Sequence, residues 1–259
     1  MKKNKSLAII LSILIIIVLF VILTSTIFCF KNVELNFLSN TVVLNGKDDE
    51  ILNSGDFKFG KSIFFLNKSE IKNTLEEKNP YLKVVNIETV FPSKIKINVI
   101  ERNSLLCLKG YNEGTFSSFM IMDEEAKVLE NLNSYSNTKL NPILVSTEGE
   151  NFETFTAGQV YSGKYNQILK NLSTELLAYR SNVNLLKANF EEIILNYENE
   201  DTIKIKMRSG TDIVLKNASQ RLPEKFMLAL STYDNLSDKI STHIVCYENS
   251  EGSVVGYYY

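Results

Sequence analysis

Between Lys5 and Lys31 the chain carries no charged residue, and Leu7–Phe30 is almost wholly apolar. As a helix this run reaches about 36 Å, more than the roughly 30 Å of a hydrocarbon core. A cleaved signal peptide has a shorter apolar region and a small-x-small site. Here the run ends in Thr26-Ile27-Phe28-Cys29-Phe30, bulky where a peptidase needs small residues, and Phe28 also argues against a lipoprotein anchor on Cys29. The pattern predicts a retained transmembrane helix over 7–30. Lys2, Lys3 and Lys5 then hold residues 1–6 in the cytoplasm by the positive-inside rule, with everything after residue 30 on the outer side.

Beyond that run the periods shorten. Residues 31–44 alternate around Val33, Leu35, Phe37, Val42 and Leu44 and read as extended, before a turn at Asn45-Gly46. Residues 48–54 read as a short helix stopped by Gly55. Ile63–Leu66 is an apolar knot leading into a helix that Asn67 caps, with Glu70 three places on, and that ends before Asn79-Pro80. Residues 82–91 and 94–99 alternate with period two about Pro92-Ser93, a hairpin with Ile95, Ile97 and Val99 on its buried face. This order predicts a small α+β domain ending near Arg102.

The pattern then changes. Strand-like pieces at 104–109 and 118–122 flank Gly110–Gly114, and Met120–Leu129 reads as strand, turn, strand. Residues 131–141 are Asn/Ser-rich and read as a surface loop. A helix over 165–181 turns Ile168, Leu169, Leu172, Leu176 and Leu177 to one face. A second, over 219–237, does the same with Leu222, Phe226, Leu230 and Tyr233. Strands are expected at about 190–197, 202–208 and 211–216, then at His243–Tyr247 and Ser253–Tyr259. Residues 103–259 are thus expected to form a mostly antiparallel β domain with two helices.

Charge narrows the chemistry. Of 28 Lys+Arg and 30 Asp+Glu, three lysines precede the apolar run, so the remainder is mildly acidic and has no basic tract for phosphates. One His leaves no room for a multi-histidine metal site, and His243, inside a strand with no nucleophile beside it, reads as structural. The acidic runs 48–50 and 123–125 lie where acids favour a helix start or a turn, without the spacing of a calcium loop. Gly55, Gly60, Gly110 and Gly114 are isolated turn glycines that form no phosphate loop. No catalytic, cofactor or metal residue is therefore assigned. Cys107 and Cys246 read as buried thiols, with a bridge between them left open.

Residues 253–259, Ser-Val-Val-Gly-Tyr-Tyr-Tyr, form a β-prone aromatic run expected at a sheet edge. Two readings stand side by side: the run closes the sheet, or it offers its free N–H and C=O groups to another chain.

The order of features resembles the bacterial division family FtsQ, called DivIB in Gram-positive bacteria. The most specific stretch is Phe91-Pro92-Ser93-Lys94-Ile95-Lys96-Ile97-Asn98-Val99-Ile100-Glu101-Arg102, aromatic-Pro, alternating apolar residues, then Glu-Arg. Phe64–Asn67, Asn79–Ile87, Met122–Leu129, Leu222–Leu230 with Lys225, and Tyr247, Gly256 and Tyr257 also follow the family's order. The chain departs from it at Asn45-Gly46, after Arg102, and at Ala126, where the family's turn usually has glycine.

The resemblance implies a POTRA domain over 31–102 and an FtsQ/DivIB-type β domain over 103–259. It implies a non-enzymatic, single-pass scaffold of the division septum. The expected partners are FtsB/DivIC-like and FtsL-like membrane coiled-coil proteins and, through them, the septal peptidoglycan synthase. The partner-binding set is Tyr247, Ser253, Val254, Val255, Gly256 and Tyr257, with the POTRA domain as a second surface. The competing reading is a membrane-anchored extracytoplasmic cell-wall hydrolase, which needs His243 to meet an Asp or Cys in a pocket.

Overall fold

The computed structural model describes residues 2–112, 115–135, 141–149, 152–199 and 201–259. Residues 2–8, 23–25, 111–112, 115–117 and 153 are described by their backbone alone. Gly114 and residues 136–140 of the expected surface loop lie outside the described residues. The chain forms two compact units, Met1–Arg102 and Asn103–Tyr259.

The first unit begins with helix α1, Lys2–Thr26. It ends four residues before the expected limit at Phe30, because the backbone there is claimed by other segments. Cys29 bridges Ser62, the Phe30 N–H donates to the Lys61 carbonyl at 2.8 Å, and the Ile63 N–H donates to Phe28 at 2.8 Å. Among the described residues no helix is long and apolar enough to cross a membrane. The α1 side chains described are those of residues 9–22 and Thr26, and all are exposed.

Strands β1 (Asn32–Phe37), β2 (Leu82–Val90) and β3 (Lys94–Glu101) form a sheet in the order β1-β3-β2. β3 is central, parallel to β1 and antiparallel to β2. Ile95, Ile97 and Val99 are fully buried, as the hairpin pattern predicts. The same face is covered by α2 (Asp48–Ser54) and α3 (Lys68–Lys78), which bury Ile51 and Leu75. Asn67 caps α3 by accepting from the Glu70 N–H, but the Glu70 carboxylate turns to Lys58, so the capping box is only half formed. The other face is polar: the Asn98 amide donates to Asn86 at 2.6 Å and Glu88 at 2.7 Å, and accepts from Asn36 at 2.7 Å. A bulge at Val85 breaks the expected unbroken alternation of β2 and leaves Val85 exposed.

The extended reading of 31–44 holds only to Phe37. The N–H groups of Val42, Val43 and Leu44 converge on the Glu101 carboxylate at 2.9–3.0 Å. Three successive N–H groups reach one anion only from a concave turn, which excludes a strand. Next along the chain, the buried Arg102 guanidinium meets Glu76 on α3 at 3.0 Å and the Leu82 carbonyl at 3.2 Å.

The second unit holds one nine-stranded sheet. Its strands are β4 (Leu106–Asn112), β5 (Thr115–Met122), β6 (Val128–Leu132), β7 (Ile143–Glu148), β8 (Phe190–Leu195), β9 (Thr202–Met207), β10 (Asp212–Lys216), β11 (His243–Glu248) and β12 (Val254–Tyr258). They lie in the order β12-β11-β10-β9-β8-β7-β4-β5-β6. Helices α4 (Asn166–Tyr179) and α6 (Leu222–Asn235) pack Leu169, Leu172, Leu176, Phe226 and Leu230 into one core with Ile193, Ile205, Ile213 and Ile244.

The expectation of two helices is corrected to three among the described residues. Asn182 caps α5, Val183–Asn189, by accepting from the N–H groups of Asn184 and Leu185. Five of the eight strand pairings are antiparallel. The β7–β8 and β10–β11 pairs are parallel because a helix carries the chain across the sheet between them; β4–β7 is the third parallel pair.

Ala126 stands at φ 61° in the turn before β6. The buried Asp123 carboxylate fixes that turn by accepting from the N–H groups of Glu125 at 2.9 Å and Lys127 at 2.8 Å. Relief of left-handed strain, about 1–2 kcal/mol, opposes the loss of a buried methyl, about 0.8 kcal/mol, and added chain entropy, about 0.4–1 kcal/mol. Thermal unfolding of Ala126→Gly should therefore stay within about 0.5 kcal/mol of the parent. Ala126→Val should lose about 2–3 kcal/mol, since a β-branched side chain is poorly tolerated there and overpacks the site.

All three cysteines are free and buried, which answers the open question of a bridge. Cys107 on β4 and Cys246 on β11 are separated by four intervening strands, so about 24 Å divides them at 4.8 Å per strand. Burial pushes the Cys107 thiol up to about 12 and the Cys246 thiol up to about 11. Both should resist iodoacetamide at pH 8 in the folded protein and react on unfolding. A raised folded-state pKa contributes stability that is complete below the ordinary value near 9 and is lost as pH rises towards 11–12.

Candidate docking edge

The hairpin of β11 and β12 closes one end of the large sheet. Its turn is rigid. The Asn249 side chain accepts from the N–H groups of Glu251 at 3.1 Å and Ser253 at 2.9 Å, Gly252 takes φ 77°, and Arg221 donates to the Gly252 carbonyl. Ser253 itself pairs back to the Asn249 N–H at 3.0 Å.

From this turn the ladder phase follows. His243 and Tyr259 exchange both backbone hydrogen bonds, at 3.0 and 3.1 Å. In an antiparallel pair such exchanges recur every second residue, so Tyr257 and Val255 also turn their backbones to β11, opposite Val245 and Tyr247. The backbone groups of Val254, Gly256 and Tyr258 therefore point away from the sheet.

Side chains alternate in the same rhythm. A Cβ on Gly256 would stand 3.1 Å from the Cys246 sulfur and 3.4 Å from Leu228 of α6, so Gly256 lies on the helix side and lets that helix approach. Val255, Tyr257 and Tyr259 share the opposite, open face with Tyr247 and His243. There the rings form a ladder: Tyr247 to Tyr257 at 6.2 Å, Tyr257 to Tyr259 at 6.0 Å, and Tyr259 to His243 at 5.3 Å. Tyr257 is 48% exposed and Tyr259 72% exposed.

The six residues expected from the sequence thus divide. Tyr247, Val255 and Tyr257 meet on the open face; Val254 and Gly256 offer outward backbone; Ser253 holds the turn. Tyr258 and Tyr259 lie in the expected edge 253–259 but outside that set of six, and His243, read as structural, also faces this side. The period-two spacing of Tyr257 and Tyr259 carried a signal for Tyr259, and the outward backbone of Tyr258 follows from the same spacing.

The opposite sheet edge is different. β6 is covered by the segment 155–161: the Val128 N–H donates to Gln159 and the Gly158 N–H to Val128, both at 2.8 Å, and the Asn131 amide reaches Phe155. Among the described residues no strand pairs with the outer side of β12.

His243 does meet a carboxylate. Its Nδ1 stands 3.7 Å from Asp212, which also pairs with Lys204 at 2.8 Å. Both lie on the open face of the sheet. The Cys246 thiol is on the helix side, and the cavity of about 270 Å³ lined by Tyr165, Asn196, Asp201 and Ile203 lies at the β8–β9 end of the unit. Among the described residues, neither that thiol nor that cavity meets this imidazole.

Residues 44–102 match the POTRA domain, FtsQ-type. The chain is 30% identical over 186 residues to the cell division protein DivIB of Clostridium tetani, covering 70% of this chain and 64% of that protein. It is 32% identical over 84 residues to the cell division protein DivIB of Clostridium acetobutylicum, covering 32% of this chain and 31% of that protein. The chain therefore spans less than two thirds of the length of these relatives.

Proposed function

The chain belongs to the FtsQ/DivIB family of bacterial division proteins, and from that premise we propose that it is a non-enzymatic septation scaffold anchored in the cell membrane. In this reading residues 1–6 are cytoplasmic, α1 from residue 7 to Thr26 is the membrane anchor, the segment after it to residue 102 is the POTRA domain and 103–259 the β domain. The division of the chain after Arg102 supports the last two. The anchor is supported by side chains 9–22 of α1, all exposed and all apolar but Ser12, which water does not favour. The lysines before them favour a cytoplasmic N-terminus.

The observation that carries the proposal is the outer edge of β12, unpaired among the described residues and flanked by the tyrosine ladder. An FtsB/DivIC-like or FtsL-like segment adds to it as a further strand. Backbone hydrogen bonds supply affinity, and Tyr247, Val255 and Tyr257 supply the anchoring side chains. The septal peptidoglycan synthase is engaged through that partner.

Deleting residues 253–259 should end co-purification of the coiled-coil partners from membranes while α1 and the POTRA domain stay folded. Undiminished recovery of those partners would remove the edge from the proposal. A reporter fused at Tyr259 should be active only outside the cytoplasm; a cytoplasmic signal would reverse the topology.

A further inference from the structure

The membrane-proximal end of the POTRA domain carries an aromatic cluster that its fold does not bury. Phe28, two residues beyond α1, Phe64 in the 3-10 turn Ile63–Phe65, and Phe91 in the β2–β3 turn come from three separate segments. Their ring centroids lie 5.4, 5.5 and 6.0 Å apart. Backbone hydrogen bonds lace the segments together around them, Ile63 to Phe28, Phe30 to Lys61 and Lys31 to Ser93, each at 2.8 Å. Yet Phe64 is 51% exposed, Phe91 58% and the adjacent Phe65 80%.

A rigid group of phenyl rings facing water is costly unless something covers it. Two features of the sequence and structure say what does. The cluster is continuous with α1 through Ile27, itself exposed, so the apolar surface of the helix runs straight into it. The three segments that build it, 27–33, 57–69 and 89–100, contain six lysines and no acidic residue. Glu34, Asp56, Glu70, Glu88 and Glu101 each stand one residue outside them: Glu34 pairs with Lys94 and Glu70 with Lys58, Glu101 is turned to the N–H groups of Val42–Leu44, and Asp56 and Glu70 line the hollow beside Phe65. Exposed apolar rings continuous with α1 and flanked by Lys31 and Lys61 match the boundary between acyl chains and anionic headgroups.

We propose that Phe28, Phe64, Phe65 and Phe91 form a collar that seats the POTRA domain on the outer leaflet of the bilayer. The rings enter the interface, and Lys31 and Lys61 lie at headgroup level. This rests on the reading of α1 as a membrane anchor, and it adds a fixed orientation: the domain is held against the lipid rather than swinging on its tether.

The chain has no tryptophan, so one introduced residue reports its own surroundings. Full-length F64W, F65W, F91W, I16W and V85W proteins are reconstituted in vesicles of phosphatidylcholine and phosphatidylglycerol. The phosphatidylcholine is brominated either near the carbonyls or near the chain ends. F64W, F65W and F91W should show blue-shifted emission and lose most of it to shallow bromines. I16W should lose it to deep bromines. V85W, exposed about 20 Å along β2 from Phe91, should lose none. Because Phe65 is the most exposed ring, F65W tests the collar even where the other two substitutions disturb packing. Failure of deep quenching in I16W would overturn the anchor. Deep quenching in I16W with F64W, F65W and F91W emitting like V85W would leave the anchor and overturn the collar, and would assign the patch to a protein partner.

Discussion

Replacing Arg102 with alanine should unfold the POTRA domain while leaving the β domain intact. Its guanidinium is almost fully buried and meets the Glu76 carboxylate at 3.0 Å and the Leu82 carbonyl at 3.2 Å. Glu76 in turn accepts from the Val84 N–H at 2.9 Å, so the pair ties α3 to β2 across the domain. Removing one partner of a buried pair leaves an uncompensated charge and costs about 3–5 kcal/mol. Folded domains have about 5–15 kcal/mol in total, and a domain this small lies at the low end. The loss is therefore most of what there is. In peptide-resolved hydrogen exchange of the full-length protein in mild detergent, protection across 68–102 should collapse and protection across 103–259 should not. Removing the carboxylate as well, in Arg102→Ala with Glu76→Leu, should restore part of it, because neither charge of the pair is then left buried alone. Parental exchange in Arg102→Ala would mean that water already screens the pair.

That prediction also shows what the sequence could and could not reveal. Phe91–Arg102 was the most specific stretch of resemblance, and its alternation placed Ile95, Ile97 and Val99 in the core without help from the structure. The stripes of α4 and α6 were legible for the same reason: a local period reports a local face. The jobs of the terminal Glu-Arg pair were not legible, since Glu101 gathers Val42–Leu44 and Arg102 seeks Glu76, all far away in the chain. Val42 and Leu44 alternate as a strand would, and a distant carboxylate overrides the pattern. α5 was missed because it buries only Leu186 and so shows no stripe, and β7 because Leu144 lies on the half-exposed face and Thr147 on the buried one, which breaks the apolar–polar alternation. At the candidate site, the common face of Tyr247, Val255 and Tyr257 follows from hairpin alternation. His243 joins Tyr259 only through the register of β11 against β12, which needs the turn geometry of Asn249.

The docking edge makes the second large prediction, and it separates backbone pairing from side-chain contact. Tyr257→Glu places a charge in the middle of the ring ladder. Loss of a central aromatic anchor costs about 2–4 kcal/mol, or a fall in partner affinity of about 30- to 1,000-fold. That result alone would fit a partner lying on the open face as well as one pairing with the edge. Proline tells them apart. The N–H groups of Val254 and Tyr258 point away from β11, so Val254→Pro and Tyr258→Pro remove an outward donor and leave the β11–β12 ladder whole. An added strand needs that donor, and the ring also blocks its approach. Each proline variant should bind the coiled-coil partner at least about tenfold more weakly, from one hydrogen bond at about 1 kcal/mol plus the steric term. Tyr258→Ala, which keeps the N–H, should bind within about threefold of the parent, since its ring stands on the helix side and not in the ladder. If both proline variants bind like the parent while Tyr257→Glu fails, the partner lies on the tyrosine face and no strand is added. If all of them bind, β12 only closes the sheet.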